Sequence, residues 1–436
     1  MALAHATLSQ PDPVWQRMQA LVDWERADRA RMRVDLAPEL DLVERLGSPH
    51  LRLRTVHVTG TKGKGSVCAL IEAGLLNAGL QVGRYASPHL EHVSERISLL
   101  GRPIGDPVLE RALAHALDAR DDAVAAGTAG REASWFDVFT AAAFWAMADA
   151  GLQWAVVEVG LGGRLDSTNV VNPDLTVIVN VDLEHTDTLG TTVRAIATEK
   201  AGIIKAGRPV ITTCNAEDEA GRVIYAAALA HLAPLRWIDP QAHGGLQALN
   251  TAIARAALQW LGEVGVMSAR RRALLAAADL PDAVAAAARL PGRQEQFQVR
   301  RAQGGEPVTV VLDGAHVGFA LSAVLHDLRT EARLAGPAVV LLALGADKNA
   351  VEIVPRLAGV ASCVVCTSMG DERRGRPAED LVAVARGAGI VAEAAASPIA
   401  GWQRCLERVQ PGEWILITGS LYLVGELREH VRRAVG

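Results

Sequence analysis

The sequence predicts an α/β protein of two domains, each a largely parallel sheet covered by helices. Three observations predict this. Short β-branched runs alternate with longer helical stretches between Thr55 and Thr213, and again between Val308 and Thr418, and such alternation belongs to parallel strands joined through helices. The length, 436 residues, exceeds what a single core usually spans. Between the two series, Leu290-Pro291-Gly292-Arg293 interrupts a helical pattern. The expected division is therefore residues 1–290, a connection at 291–306 that includes the turn Gly304-Gly305, and residues 307–436.

In chain order, the first thirty residues read as amphipathic helix. Thr55 to Thr59 is a short apolar strand running into a glycine-rich turn, and Ser66 to Ala78 is a helix stopped at Gly79. Val82 to Ala86 is the next strand. Asp106 to Ala129 is Ala-rich helix, and Trp135 to Ala150 is apolar on all sides, which predicts a buried helix. Strands follow at Trp154–Val159, Leu175–Val181 and Pro209–Thr213, then helices at Asn250–Gly262 and Ala269–Arg289. Beyond the break, strands are expected at Val308–Leu312, Ala338–Leu344, Ala361–Thr367, Gly389–Ala392 and Trp414–Thr418.

Composition bounds the function. Hydrophobic residues make up 50% and charged residues 21%, which excludes disorder for most of the chain, while 4% aromatics leave Ala, Val and Leu to build the cores. No apolar run approaches the ~20 residues of a membrane span. Met1 to Val14 has no apolar segment of a secretory signal. A net charge of −5 gives no basic excess for nucleic acid or an anionic membrane, so anions must be held in a local site. The five scattered cysteines suit a reducing, cytoplasmic setting, and Cys363-x-x-Cys366, on an expected buried strand without a second pair, reads as core packing.

Four motifs carry chemistry. In Val58-Thr59-Gly60-Thr61-Lys62-Gly63-Lys64-Gly65-Ser66 a strand enters a glycine-rich turn and then a helix. Glycines let backbone N–H groups converge on phosphate oxygens, and a helix N-terminus favours anions. Lys64 reaches the β- and γ-phosphates, and Ser66 serves phosphate or Mg²⁺. The spacing departs from GxxxxGK[ST], since position 58 is Val and Gly65 separates Lys64 from Ser66. Glu158, at a strand end before Gly160-Leu161-Gly162-Gly163, suits a hard cation or an N-cap equally. Asn180 to Asp187 follows another strand, and its His185 is a ligand or a structural group; Lys200, on a helix downstream, reads as a solvated surface charge. Asp313-Gly314-Ala315-His316 ends a strand in the second half, where an acid accepts ribose hydroxyls or caps the next helix, and Arg293 is placed to clamp phosphates.

Together these motifs resemble one family, the folylpolyglutamate synthases / dihydrofolate synthases among the Mur-type ATP-dependent amide ligases. The resemblance runs from about Met32 to Leu427 and is carried by Gly60 to Ser66, Ser87-Pro88-His89-Leu90, Glu95-Arg96, Glu158 to Asn169, His185-Thr186-Asp187, Glu199 to Ile203, Pro291-Gly292-Arg293, Asp313 to His316 and Gly419-Ser420-Leu421-Tyr422. It implies an N-terminal P-loop-type sheet domain flanked by helices and a smaller C-terminal Rossmann-like α/β domain. It implies that Gly60, Thr61, Lys62, Gly63, Lys64, Gly65 and Ser66 hold ATP phosphates, with Asn250, Arg293, Asp313 and His316 as further nucleotide contacts in an interdomain cleft. Ser87, Glu158, His185 and Lys200 would serve Mg²⁺, and Lys64, His185 and Lys200 form the expected catalytic set. Lys200 matches a lysine carbamylated in this family. Residues 33–36 and Phe136-Asp137 match the approach of the pterin-bearing substrate. Val317-Gly318 stands where the family often has Asn and Pro.

The implied reaction activates a folate or dihydropteroate carboxylate as an acyl phosphate, which the L-glutamate amine then attacks. A cytoplasmic monomer acting on small molecules is the expectation. The alternatives are a Mur-type ligase with a non-folate acceptor and a nucleotide-binding regulator without catalysis. A cell-wall Mur ligase is disfavoured, because only 59 residues precede Gly60.

Overall fold

The computed structural model describes residues 13–23, 35–300, 306–331, 334–369 and 375–435. The described residues fall into two compact units: those from 13 to 243 together with 247–289, and 244–246 together with those from 290 to 435. No helix among the described residues is long and apolar enough to cross a membrane.

The first unit is built on eight strands: β1 (Arg54–Thr59), β2 (Val82–Tyr85), β3 (Ile97–Leu99), β4 (Arg102–Pro103), β5 (Trp154–Glu158), β6 (Leu175–Ile178), β7 (Val210–Thr212) and β8 (Leu235–Trp237). Their spatial order is β4-β3-β2-β5-β1-β6-β7-β8. Every pairing from β2 to β8 is parallel, and β3 and β4 add an antiparallel edge. The central strands β1, β5 and β6 are buried almost throughout because both faces are covered. On one face Val56, Val58, Val82 and Val156 pack against Val67, Ile71 and Leu258 of the helices Lys64–Asn77 and Leu246–Glu263. On the other, Tyr85, Ala155 and Val157 meet Leu113, Phe139 and Phe144 of Asp106–Ala126 and Trp135–Asp149. Gly74 lets the first two helices close up: a Cβ there would lie 2.3 Å from Leu258 Cδ1.

A two-stranded ribbon, β9 (Met267–Ser268) and β10 (Ala273–Leu274), precedes the second unit. That unit holds β11 (Glu295–Val299), β12 (Val308–Leu312), β13 (Ala338–Leu342), β14 (Ala361–Thr367), β15 (Ala392–Ala395) and β16 (Trp414–Thr418) in the order β11-β12-β16-β13-β14-β15. All its pairings are parallel except β11 with β12. Cys363 and Cys366 are both buried on β14.

The two α/β sheets follow the expectation, and the differences are local. Residues 269–289 were expected as helix; they form the ribbon, a short 3-10 turn and only the helix Asp282–Ala287. The cause is Asp279. Its carboxylate takes Ser268 Oγ, the Arg271 guanidinium and Ala276 N–H, so side-chain bonds replace helical ones. Within the expected connection 291–306, residues Glu295–Val299 are a strand paired along β12. The strand β15 lies at Ala392–Ala395 rather than 389–392, because Gly389, at φ +75°, and Ile390 still close off the preceding helix through bonds to Arg386 O and Ala385 O. Of the expected N-terminal helix, Pro13–Gln19 is helical, while the rest of that call, Gly304-Gly305 and Arg33-Val34 lie largely or wholly outside the described residues.

Candidate active site

The C-terminal ends of β1, β2, β5 and β6 carry most of the expected residues, which is where open parallel sheets bind ligands. The Gly60–Ser66 turn leaves β1 and becomes the helix Lys64–Asn77, with Gly63 at its N-cap in the left-handed region, φ +87°. Close approach demands glycine there: a Cβ on Gly63 would sit 3.0 Å from Asn250 Oδ1, and one on Gly60 3.0 Å from Val179 Cβ. Asn250 thus lies against the turn.

The segment after β6 stitches this turn in place. Thr61 N–H donates to Asn180 O at 2.9 Å, Lys62 N–H to Asn180 Oδ1 at 2.8 Å, and Asn180 Nδ2 to Lys62 O at 2.9 Å. Asp182 N–H donates to Thr61 Oγ1 at 3.0 Å. Lys64 Nζ curls back to donate to Gly60 O at 2.9 Å. The turn is a formed loop, and Lys64, one of its two lysines, is parked on the turn's own backbone.

Glu158 ends β5 and is buried. Its Oε2 accepts from Ser87 N–H at 3.3 Å, so two of the four residues expected to serve Mg²⁺ are brought together by adjacent strands. No group of three His, Cys, Asp or Glu side chains among the described residues is preformed as a metal site. The set nevertheless fits Mg²⁺, which takes hard oxygen donors, keeps few protein ligands and completes its shell with phosphate and water.

Lys200 corrects the expectation of a solvated charge. It is 1% exposed on the helix Val193–Ala201, and its Nζ is 2.7 Å from Glu184 Oε1. Burial lowers the Lys200 amine to about 8, against the opposing pull of Glu184. Burial also raises the Glu184 carboxyl, but Lys200, then Lys64 and His185, outweigh it and hold the group at about 2. Lys64, Glu184, His185 and Lys200 therefore share one electrostatic neighbourhood. His185 starts the short helix Thr186–Leu189 at φ +47°. Glu184 was missed by sequence reading; its place one residue before His185 is the only local signal.

Beneath this edge lies a buried polar group around Asp137 and Asp166. Asp137 accepts from Ser134 and Ser167, and Asp166 from Leu161 N–H and Thr168. Glu39, on Ala37–Arg45, is fully buried, and neither carboxylate oxygen has a hydrogen-bond partner among the described residues. Burial, then Asp137 and Asp166, push its carboxyl well up.

The second unit places Arg293, Asp313 and His316 on its own strand ends. Asp313, after β12, accepts from Ala315 N–H at 2.8 Å and Gln294 N–H at 2.9 Å. Burial raises its carboxyl, countered by the Arg293 charge. His316 Nδ1 is 2.8 Å from Gly314 O, and a Cβ on Gly314 would meet Arg293 Nη1 at 3.0 Å. Asp313 thus closes its own turn and does not cap the next helix, Gly318–Arg329, whose N-cap is Val317 with no side-chain cap.

Residues 292–421 match the family model "Mur ligase, glutamate ligase domain". The dihydrofolate synthase/folylpolyglutamate synthase of Bacillus subtilis is 30% identical, over 92% of this chain and 97% of that protein. A probable bifunctional folylpolyglutamate synthase/dihydropteroate synthase of Haloferax volcanii is 34% identical over 90% of this chain; this chain spans about half (48%) of its length. Among solved structures, Mycobacterium tuberculosis folylpolyglutamate synthase complexed with ADP superposes with a TM-score of 0.80 at 27% identity, covering 97% of this chain and all (100%) of that one.

Proposed function

The chain belongs to the folylpolyglutamate synthase/dihydrofolate synthase family, and from that premise we propose that it is an ATP-dependent ligase joining L-glutamate to a folate or dihydropteroate carboxylate. The observation that carries the reading is the formed phosphate cradle at Gly60–Ser66 standing beside Glu158 with Ser87 and beside the buried Lys200–Glu184 pair. Bare nucleotide binding needs the first; a transfer that develops charge on a phosphoryl group uses all three.

The chemistry follows from these parts. A carboxylate oxygen of the acceptor attacks the γ-phosphorus of ATP, the bond to the β-bridging oxygen breaks, and ADP leaves with an acyl phosphate formed. The amine of glutamate then attacks the acyl carbon, loses a proton and expels inorganic phosphate. Lys64 would exchange the Gly60 carbonyl for the β- and γ-phosphate oxygens, and the backbone N–H groups from Gly63 onward, at the helix N-terminus, would hold phosphate. Ser87, Glu158 and His185 would hold Mg²⁺, which when bound neutralises triphosphate charge. Thr61, Lys62, Gly65, Ser66, Asn250, Arg293, Asp313 and His316 we assign to the nucleotide.

Lys200 we assign to the metal site as its carbamate. A neutral amine adds to CO₂ and loses a proton, turning a cation into an anion; an amine lowered to about 8 reaches the neutral form near physiological pH. The carbamate would then stand beside the Glu184 carboxylate, and two neighbouring anions call for a cation between them.

The test is a panel of acceptors, each with glutamate and MgATP, read by mass spectrometry. Dihydropteroate or a tetrahydrofolate should gain one or more glutamyl units with equivalent ADP. ADP release only with a non-folate carboxylate would favour the second ligase reading, and no amide product with any acceptor would contradict both.

A further inference from the structure

The helix Lys64–Asn77 carries Lys64, Cys68 and Glu72 at intervals of four, which stack along one face. Cys68 lies fully buried in the core that this helix shares with the sheet, so the row faces the strands. On the sheet, Val82 pairs beside Trp154 and Arg84 beside Val156. Val82, Trp154 and Val156 belong to that same core. The two-residue period then puts Arg84 on β2 and Glu158 on β5 on the face the helix covers. Two partly buried cations and two buried carboxylates occupy one strip, and all four act on the Cys68 thiol, which burial foremost pushes well up.

Within the strip Arg84 is committed. Its Nε is 2.7 Å from Glu72 Oε2, and both side chains are largely buried. Glu72 Oε1 has no hydrogen-bond partner among the described residues. Arg84 stands three residues before Ser87, whose N–H reaches Glu158. A guanidinium on the same face as a metal-bearing carboxylate is a natural competitor for it, since carboxylates pair well with that fork. An Arg left buried without its counter-charge would seek the nearest other carboxylate.

We propose that Glu72 is a positioning residue for the divalent-cation site: by holding Arg84 it keeps that guanidinium from competing with the metal for Glu158. This rests on the assignment of Glu158 to Mg²⁺. The role explains why a charged pair is buried where two apolar side chains would pack at least as stably.

The test is Mn²⁺ binding in the presence of a non-hydrolysable ATP analogue, followed through the electron paramagnetic resonance signal of the free ion. Glu72→Gln should raise half-saturating Mn²⁺ at least about tenfold, the range seen when outer-shell partners of metal ligands are removed. Glu72→Gln with Arg84→Met should return it to the wild-type value, because the competitor is gone. Arg84→Met alone should leave it unchanged. An unchanged value in Glu72→Gln, or an equal loss in the single and double variants, overturns the proposal. Should Glu72→Gln not fold, Glu72→Asp weakens the same pair and carries the same expectation. Glu158→Gln separates the layers: if it weakens Mn²⁺ binding while Glu72→Gln does not, this proposal alone fails; if it has no effect, the metal assignment fails and takes the proposal with it.

Discussion

Lys200 shows how burial converts an ordinary side chain into a reagent. On an exposed helix its amine would stay charged; at 1% exposure it is lowered to about 8 while keeping its contact with Glu184. Equilibration with ¹³CO₂ should therefore give a carbamate ¹³C resonance that grows as pH rises through about 8 and is absent in Lys200→Ala; an unmodified lysine across that range would refute the assignment. Glu39 makes the opposite statement about pH. Its carboxyl is pushed up, so the folded state binds more protons than the unfolded state from the ordinary glutamate value upward. Stability from this group is present below that value and lost as pH rises into the raised range. Glu39→Gln should match wild type in Tm at acid pH and exceed it increasingly toward neutral pH; a constant offset would show that Glu39 does not titrate as its burial requires. Lys64, Glu158 and His185 were legible from residue type at strand ends. Glu39, Glu184 and the Glu72–Arg84 pair were not, because what defines each is a partner, or the lack of one, brought by another element.

At the scale of elements, the proposed phosphate cradle is two segments, not one. The glycines of the turn were readable as a motif, but the turn is held by Asn180, which satisfies both the N–H and the carbonyl of Lys62. Asn180→Ala would strand two backbone groups at a cost of about 1–3 kcal/mol each where water cannot replace the bonds. The expected outcome is a KM for MgATP raised about tenfold or more, equivalent to about 1.4 kcal/mol, with a smaller change in acceptor KM; equal effects on both would point to general loss of structure. The strand–helix alternation was legible wherever strands are buried on both faces, since such strands are continuous apolar runs. It failed at 269–289, where Ala-rich composition argued for helix and the Asp279 bonds to Ser268, Arg271 and Ala276 decided otherwise. The edge strands β4, β8 and β11 were silent for the converse reason: they are partly exposed, with no apolar run to mark them, and β3, between β4 and β2, is only three residues long.

For the whole molecule, the two units rest on separate cores, one around Val340, Leu416 and Leu321 and the others around Val58, Ile71 and Phe139. Gly60–Ser66, Ser87, Glu158 and His185, proposed to hold phosphate and metal, follow the C-terminal ends of strands of the first unit, and Lys200 stands on its helix Val193–Ala201, so the proposed grip on the triphosphate is a property of that unit. The most direct measurement is calorimetric titration of MgATP into the intact protein and into Lys64→Ala, with circular dichroism to show that both are folded. The account predicts saturable binding by the wild-type chain, and in Lys64→Ala a folded protein whose affinity has fallen at least about tenfold, or by 1.4 kcal/mol. Equal binding by the two proteins would contradict it.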